Sequence, residues 1–458
     1  MTPYLHAERK RVGNPEGLSS NRFTKPEVPE SIKVFPSNEL NGEVAIPGDK
    51  VSAVHLLLAT AILESETKIW NIHYCGDVLR IIDWLKSTNL VNLDQYQEYL
   101  NIFPNKQEIF VDLSDLADTR SNICLVSALA MKHKKVIFKD TEGCRFTDRK
   151  IDRHFALIEA FGLRVMERDG LYEITYVEPS NSVEFDCSTP DYGPSVGVTC
   201  HALIASLVYK SKITLTNAAL EFAPMTLVEY IEKFSNKRVH IDGRRIMIDA
   251  VSTVEHNFDE ITLKPDITVA STHIAALVST GKGELQLENI CLEEIPASVL
   301  DTYTEMGIDI KEAGRNSLRI RIGENGLQMP KEVICDVFPA FPTDVAPIFA
   351  ASVAGLNGTL EITDKIYNQR SSHVDGLNKM GFELTADGNK IRVNGHAPSE
   401  NSNIAVEAVD IRSGAALIVG ALGSNSNGVT ITNYHQVYRG YSNLIEDLQK
   451  LGAKIECI

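Results

Sequence analysis

The chain has 458 residues, a formal net charge of −16, and an ordinary globular balance of 43% hydrophobic and 23% charged residues. That length supports two or three domains with substantial cores, and the acidic balance speaks against a nucleic-acid surface. No apolar run reaches membrane-spanning length, and the eight cysteines form neither a CxxC pair nor a zinc-spaced Cys/His cluster, so free thiols in a cytoplasmic protein are expected.

In chain order, the first element is a polar, proline-punctuated arm over 1–30, without a hydrophobic signal core and expected to be loosely held. Six strand-like runs follow at intervals of roughly 70–77 residues, each ending in Asn or Asp. They start at Thr67, Lys135, Lys212, Glu284, Thr359 and Val429 and end at Asn71, Asp140, Asn217, Asn289, Asp364 and Asn433. Before each lies a helix-length segment rich in Ala, Ser and aliphatics, apolar all round and therefore expected to be buried. After each comes a loop and then an amphipathic helix: 78–86, 154–161, 227–234, 299–306, 374–380 and 444–451. Four of these stop at glycine (Gly162, Gly307, Gly381, Gly452), which suits a left-handed C-cap. A further strand closes each unit. The pattern predicts an α/β protein of six βαβαβ units, three in a domain over 50–265 and three in a second over 266–458, which 31–49 would complete.

Chemistry-bearing residues collect at two places in this unit. The first is the start of the buried helices: Lys50, Arg120, Ser195-Val196-Gly197, Asp266, Thr343-Asp344 and Arg412. A cation there opposes the helix dipole, so Lys50, Arg120 and Arg412 break a local stability rule, and such breaks mark function. Helix N-termini offer free N–H groups, so a ring of them facing one cleft would trap an anion. The second place is the loop after each central strand, which holds Asp77, Cys144, Glu221, Arg370 and Arg439. Cys144 follows Gly143 and is flanked by Arg145, Arg149, Lys150 and Arg153, cations that would lower a thiol pKa toward neutrality.

Taken in order, Lys50, Arg120, the Gly-Cys loop, Phe-Pro-Thr-Asp344, Asp-Ile-Arg412 and Tyr-Arg439-Gly-Tyr resemble the enolpyruvyl transferases over about 40–458, and within them the UDP-N-acetylglucosamine enolpyruvyl transferases. The resemblance implies an inverted, inside-out α/β barrel of two similar domains that close on substrate. It implies transfer of the enolpyruvyl group of phosphoenolpyruvate to a hydroxyl through a tetrahedral ketal, with release of phosphate and no metal or cofactor. By the same resemblance Lys50, Arg120, Arg370, Arg412 and Arg439 hold phosphoenolpyruvate. Cys144 is the loop acid and the site of alkylation by fosfomycin, and Asp344 takes the proton of the acceptor hydroxyl beside Thr343. Asp77 lines the cleft, Arg149, Asp152 and His154 match the uridine-side segment, and Ser195, Val196 and Gly197 match the segment at the diphosphate.

The residues also depart from that family. Val51 stands where the family has asparagine, Gly193 where it has a lysine near the diphosphate, and Lys150 where it has proline. These changes lie on the acceptor side. They leave open UDP-N-acetylglucosamine, another uridine nucleotide such as UMP in nucleoside-antibiotic biosynthesis, and a non-catalytic binding paralog. A 5-enolpyruvylshikimate-3-phosphate synthase is disfavoured, because that branch lacks the loop cysteine.

Overall fold

The computed structural model describes residues 21–88, 90–105, 113, 120–139, 151–178, 180–189 and 193–458. Six separate sheets carry the six repeats, each built on one of the strand runs noted above: Thr67–Trp70, Lys135–Lys139, Lys212–Thr216, Gly283–Glu288, Gly358–Asp364 and Val429–Thr432. Among the described residues, five of these central strands pair in parallel with a strand that leads into a buried helix. All six pair antiparallel on their other edge. The unit is thus βαβαββ, one strand more than the sequence suggested. The outer helix is followed by a hairpin, such as Val239–Asp242 with Arg245–Ile248, whose second strand returns to the central one.

The asparagines that end four runs have a structural cause. Asn71, Asn217, Asn289 and Asn433 have φ of 58°, 48°, 64° and 63°, the left-handed turn that Asn tolerates best. Three of their side-chain amides then donate to the chain entering a buried helix: Asn71 to Leu263 O (3.1 Å), Asn289 to Ile46 O (2.8 Å) and Asn433 to Ala408 O (3.0 Å). Each of these three asparagines therefore ends its own strand and fixes the start of an adjacent helix.

In chain order the helices are α1 (Lys50–Thr60), α2 (Gly76–Ser87), α3 (Val126–His133, preceded by a 3-10 turn Arg120–Leu125), α4 (Asp152–Ala160), α5 (Val196–Ser206), α6 (Phe222–Phe234) and α7 (Ile267–Thr280). There follow α8 (Ala297–Glu305), α9 (Ala346–Val353), α10 (Val374–Lys379), α11 (Ile411–Leu422), α12 (His435–Tyr438) and α13 (Leu444–Lys450). The apolar-all-round segments are the buried ones; every residue of α11 is buried. Helices α7, α9 and α11 pack on one another, as do α1, the 3-10 turn with α3, and α5. Each fully buried Leu or Ile in them contributes about 2 kcal/mol of transfer energy, so packing rather than propensity holds these helices. The outer helices match their expected spans, except that α6 begins five residues early, with Pro224 tolerated in its first turn. Gly162, Gly307, Gly381 and Gly452 have φ of +80°, +91°, +93° and +102°, as C-caps require.

Two strands are exchanged between distant repeats. Leu40–Ala45 leads into α1 but pairs with Gly283–Glu288, whereas Asp259–Thr262 leads into α7 but pairs with Thr67–Trp70. Where the two connections pass, Asp49 N donates to Lys264 O (2.7 Å) and Asp266 N to Pro47 O (2.8 Å). A Cβ at Gly48 would stand 2.1 Å from Asn71 O, so this crossing admits only glycine. Ser31–Val34 enters the sixth sheet between Val429–Thr432 and Ile455–Cys457, joining both ends of the chain. Upstream, Phe23 stacks on Tyr74 at 4.1 Å and its N–H donates to Gln95 O (3.1 Å), so the described end of the arm is docked rather than loose. Among the described residues no helix is long and apolar enough to cross a membrane.

Candidate active site

The described N-termini of the buried helices and the described loops after the central strands border one cleft of about 1760 Å³. Asp77, in the first turn of α2, accepts from Lys50 Nζ (3.1 Å) and from Arg439 Nε (2.9 Å). Lys50 is the first residue of α1, and Arg439 follows the short α12, which periodicity did not reveal. The Arg439 guanidinium is also held by Gln436 Oε1 at 3.1 Å. Burial works against the Asp77 carboxylate, but Lys50 and Arg439 outweigh it and hold the group below the usual carboxylate range.

A second carboxylate repeats the arrangement. Asp344 sits in the turn before α9 and accepts from Arg412 Nη2 (2.7 Å) and Nε (3.2 Å) on one oxygen, and from Arg370 Nη2 (2.6 Å) on the other. Arg370 Nη1 also donates to Thr343 Oγ1 (2.8 Å), and Thr343 in turn donates to Asp364 at the end of Gly358–Asp364. Enclosure in the cleft would raise the Asp344 carboxyl; the two guanidiniums overcome this and hold it far below its ordinary value. Its side chain remains 36% exposed, against 8% for Arg412 and 10% for Arg370, so the acid faces the open cleft and the arginines lie behind it.

Two of the cations that oppose helix dipoles, Lys50 and Arg412, follow aspartate caps one and two residues earlier. Asp49 accepts from Ser52 N (2.7 Å), and Asp410 accepts from Arg412 N and Ser413 N (2.9 Å each). On the far side of the cleft, Asp152 and His154 occupy the first turn of α4. Ser195 caps α5 by accepting from Val198 N (3.3 Å), with Val196 and Gly197 beside it on the cleft wall. Asp410, Gln436 and Arg153 also line the cleft outside the expected site set; Asp410, beside Arg412 at a helix start, and Arg153, among the cations around Cys144, carried a sequence signal. Cys144 and Arg149 lie outside the described residues, and of Arg120 only the backbone, opening its 3-10 turn, is described.

Residues 34–448 match the family described as EPSP synthase (3-phosphoshikimate 1-carboxyvinyltransferase). The chain belongs to the EPSP synthase family. It is 28% identical over 424 residues to the UDP-N-acetylglucosamine 1-carboxyvinyltransferase of Thermotoga petrophila, covering 92% of this chain and 96% of that protein. It is 29% identical over 440 residues to UDP-N-acetylglucosamine 1-carboxyvinyltransferase 2 of Bacillus subtilis, covering 93% and 96%. Its fold resembles that of the enolpyruvyl transferase NikO from Streptomyces tendae, with a TM-score of 0.82, 20% identity and coverage of 93% and 98%. It also resembles EPSP synthase from Acinetobacter baumannii, with a TM-score of 0.69, 17% identity and coverage of 93% and 99%.

In this EPSP synthase family member the strand crossing places a second acid beside Asp49. Asp266 caps α7 through Thr268 N (2.9 Å) and Val269 N (3.1 Å), and it also accepts from Lys50 N (3.1 Å). Burial and then Asp266 push the Asp49 carboxyl up to about 7. A raised carboxyl pKa means that the folded state binds the proton more tightly than the unfolded one. The associated stability is present at low pH and is lost as pH rises through about 7. Asp49→Asn keeps a good cap and removes the titration. Its thermal stability is expected to exceed that of wild type by about 2 kcal/mol at pH 8, with the gap shrinking toward pH 5; a gap independent of pH would contradict this.

Proposed function

We propose that the chain transfers the enolpyruvyl group of phosphoenolpyruvate to a hydroxyl of a nucleotide-type acceptor and releases phosphate. The observation that carries this reading is the pair of cation–carboxylate clusters, Lys50–Asp77–Arg439 and Arg370–Asp344–Arg412, on one cleft. Phosphoenolpyruvate carries a phosphate and a carboxylate. Four cations against two acids give the net positive charge and the guanidinium forks that bind such groups. Arg120 adds to this set by its place in the sequence.

In the proposed reaction Asp344 takes the proton of the acceptor hydroxyl, whose oxygen attacks C2 of phosphoenolpyruvate while C3 receives a proton from Cys144. The resulting ketal loses a proton from C3 and breaks its C2–O bond to phosphate, which leaves the enol ether. A carboxylate clamped by two arginines is a weak base at neutral pH. When the substrate's anionic groups draw Arg412 and Arg370 away, the Asp344 pKa rises, so the base is released only when phosphoenolpyruvate is in place.

The acceptor would lie along Asp152, His154 and the α5 start at Ser195–Gly197, where backbone N–H groups suit a phosphate. UDP-N-acetylglucosamine is the main reading of the acceptor; Val51, on the cleft wall at the position of the family asparagine, and Gly193, at the position of its lysine, keep another uridine nucleotide such as UMP as the alternative. The cleft would lie between two lobes, 50–265 and 31–49 with 266–458, in the inside-out arrangement of buried helices and outer sheets, and closure would exclude water from the ketal.

Phosphate release from phosphoenolpyruvate, measured with UDP-N-acetylglucosamine, UDP and UMP in turn, tests the reading. Release with one of them is expected. Measurable phosphoenolpyruvate binding with no release for any acceptor would leave a binding protein instead.

A further inference from the structure

Behind the acceptor side of the cleft lies a buried polar chain of which the proposed reading uses only His154. His154, 6% exposed, contacts His201, 0% exposed, through their Nδ1 atoms at 3.1 Å, with the rings stacked 5.3 Å apart at 25°. On its other side His201 Nε2 lies 2.8 Å from Ser127 Oγ, in the first turn of α3. His201 is four residues after Gly197 on α5, so both lie on one face of that helix. A Cβ at Gly197 would stand 3.5 Å from His154 Nε2. The His154 ring thus lies against the first turn of α5 at ordinary contact distance, with Nε2 beside Gly197 and Nδ1 on His201.

Two neutral imidazoles can share an Nδ1···Nδ1 hydrogen bond only if one carries the proton there and the other does not. While both rings are neutral their tautomers are therefore linked, and two directions of donation are open to the pair. In one, Ser127 O–H donates to His201 Nε2, His201 Nδ1–H donates to His154 Nδ1, and His154 presents Nε2–H to the cleft side. In the other, all three donations reverse and His154 presents a lone pair. Ser127 can serve either direction because a hydroxyl both donates and accepts. A phosphate oxygen at the α5 start only accepts, so it selects the first, and a chain of aligned donors strengthens each member. Burial lowers the His201 pKa to about 3, so this ring stays neutral and passes polarity rather than charge.

We propose that His201 and Ser127 are positioning residues that fix His154 as an Nε2–H donor to a phosphate of the acceptor. The proposal rests on the nucleotide reading of the cleft. Its consequence is that donor strength toward the acceptor is set from the core, by residues that touch no substrate.

The test combines calorimetric binding of UDP with 15N spectra of the histidine rings in wild type, His201→Leu and His201→Asn. Asparagine places an amide near the His201 Nδ1 position and can still donate to His154. In UDP-bound wild type, the proton is expected on Nε2 of His154 and on Nδ1 of His201. His201→Leu should weaken UDP binding about tenfold, leave phosphoenolpyruvate binding unchanged and lose the single His154 tautomer, and His201→Asn should restore all three. Ser127→Ala should fall between them. A lone pair on His154 Nε2 in the complex, or a His201→Leu variant that binds UDP like wild type, overturns the proposal. So does an Asn variant as weak as the Leu variant, which would mean that His201 only fills space. If wild type binds phosphoenolpyruvate but no uridine nucleotide, the nucleotide reading has failed. The same variants are then compared with inorganic pyrophosphate, whose failure to bind would remove the relay as well.

Discussion

Asp344→Asn is expected to lower kcat by about 10³-fold while leaving the KM for phosphoenolpyruvate unchanged or lower. The substitution keeps the shape of the side chain and removes its charge and basicity. Arg412 and Arg370 lose the carboxylate that binds both at 2.7 and 2.6 Å, so they become more available to an incoming anion. If Asp344 served only to hold the arginines in place, the same change would raise KM and spare kcat. The split between the two constants therefore decides its role, and a kcat within tenfold of wild type would exclude it as the base.

The pH dependence offers an independent reading. In the free protein both guanidiniums hold Asp344 well below the usual carboxylate range. Losing cations to the substrate raises its pKa, so the acid limb should lie at higher pH in kcat, which reports the complex, than in kcat/KM, which reports the free enzyme. Coincident limbs would mean that the clamp stays closed during turnover. Thermal unfolding provides the control, since stripping one partner from buried charges costs stability of its own.

Much of this architecture is legible because it is local. The terminal asparagines, the all-apolar segments and the glycine caps are each a short-range consequence of backbone geometry, and they place Lys50, Arg412 and Ser195 at helix starts without tertiary knowledge. What stayed hidden is long-range. The expectation that 31–49 joins 266–458 did not name the partner of Leu40–Ala45, which pairs 243 residues away, as in the Glu284 N–H donating to Asn41 Oδ1. The hairpin strands Val239–Asp242 and Arg245–Ile248 have four residues each, too few for period-2 alternation to count two strands. The pairing of each cation with an acid was hidden for the same reason: Asp77 and Arg439 stand 362 positions apart yet meet at 2.9 Å. Sequence pattern does not single out His201 in its apolar helix, and only the contacts with His154 and Ser127 distinguish it.

Lys50→Met is expected to raise the KM for phosphoenolpyruvate about 100-fold, with a smaller effect on kcat and none on UDP binding. The Lys50 side chain is only 13% exposed and lies 3.1 Å from Asp77. Burial disfavours its charge, and Asp77 restores it. Methionine fills a similar volume without the ammonium, so packing is kept and the charge is lost. Two accounts of such a loss make opposite forecasts for Asp77→Asn. If Lys50 acts by orienting Asp77, the asparagine variant should be as weak toward phosphoenolpyruvate as the methionine variant, and the double variant no weaker. If Lys50 binds the substrate anion directly, Asp77→Asn removes an internal competitor for both Lys50 and Arg439 and should tighten phosphoenolpyruvate binding. Geometry favours the second outcome. Asp77 already holds Arg439 Nε at 2.9 Å without help from Lys50, and both cations open on the same cleft. The two single variants should therefore move KM in opposite directions, and changes of the same sign would assign Lys50 to the scaffold rather than to the anion site.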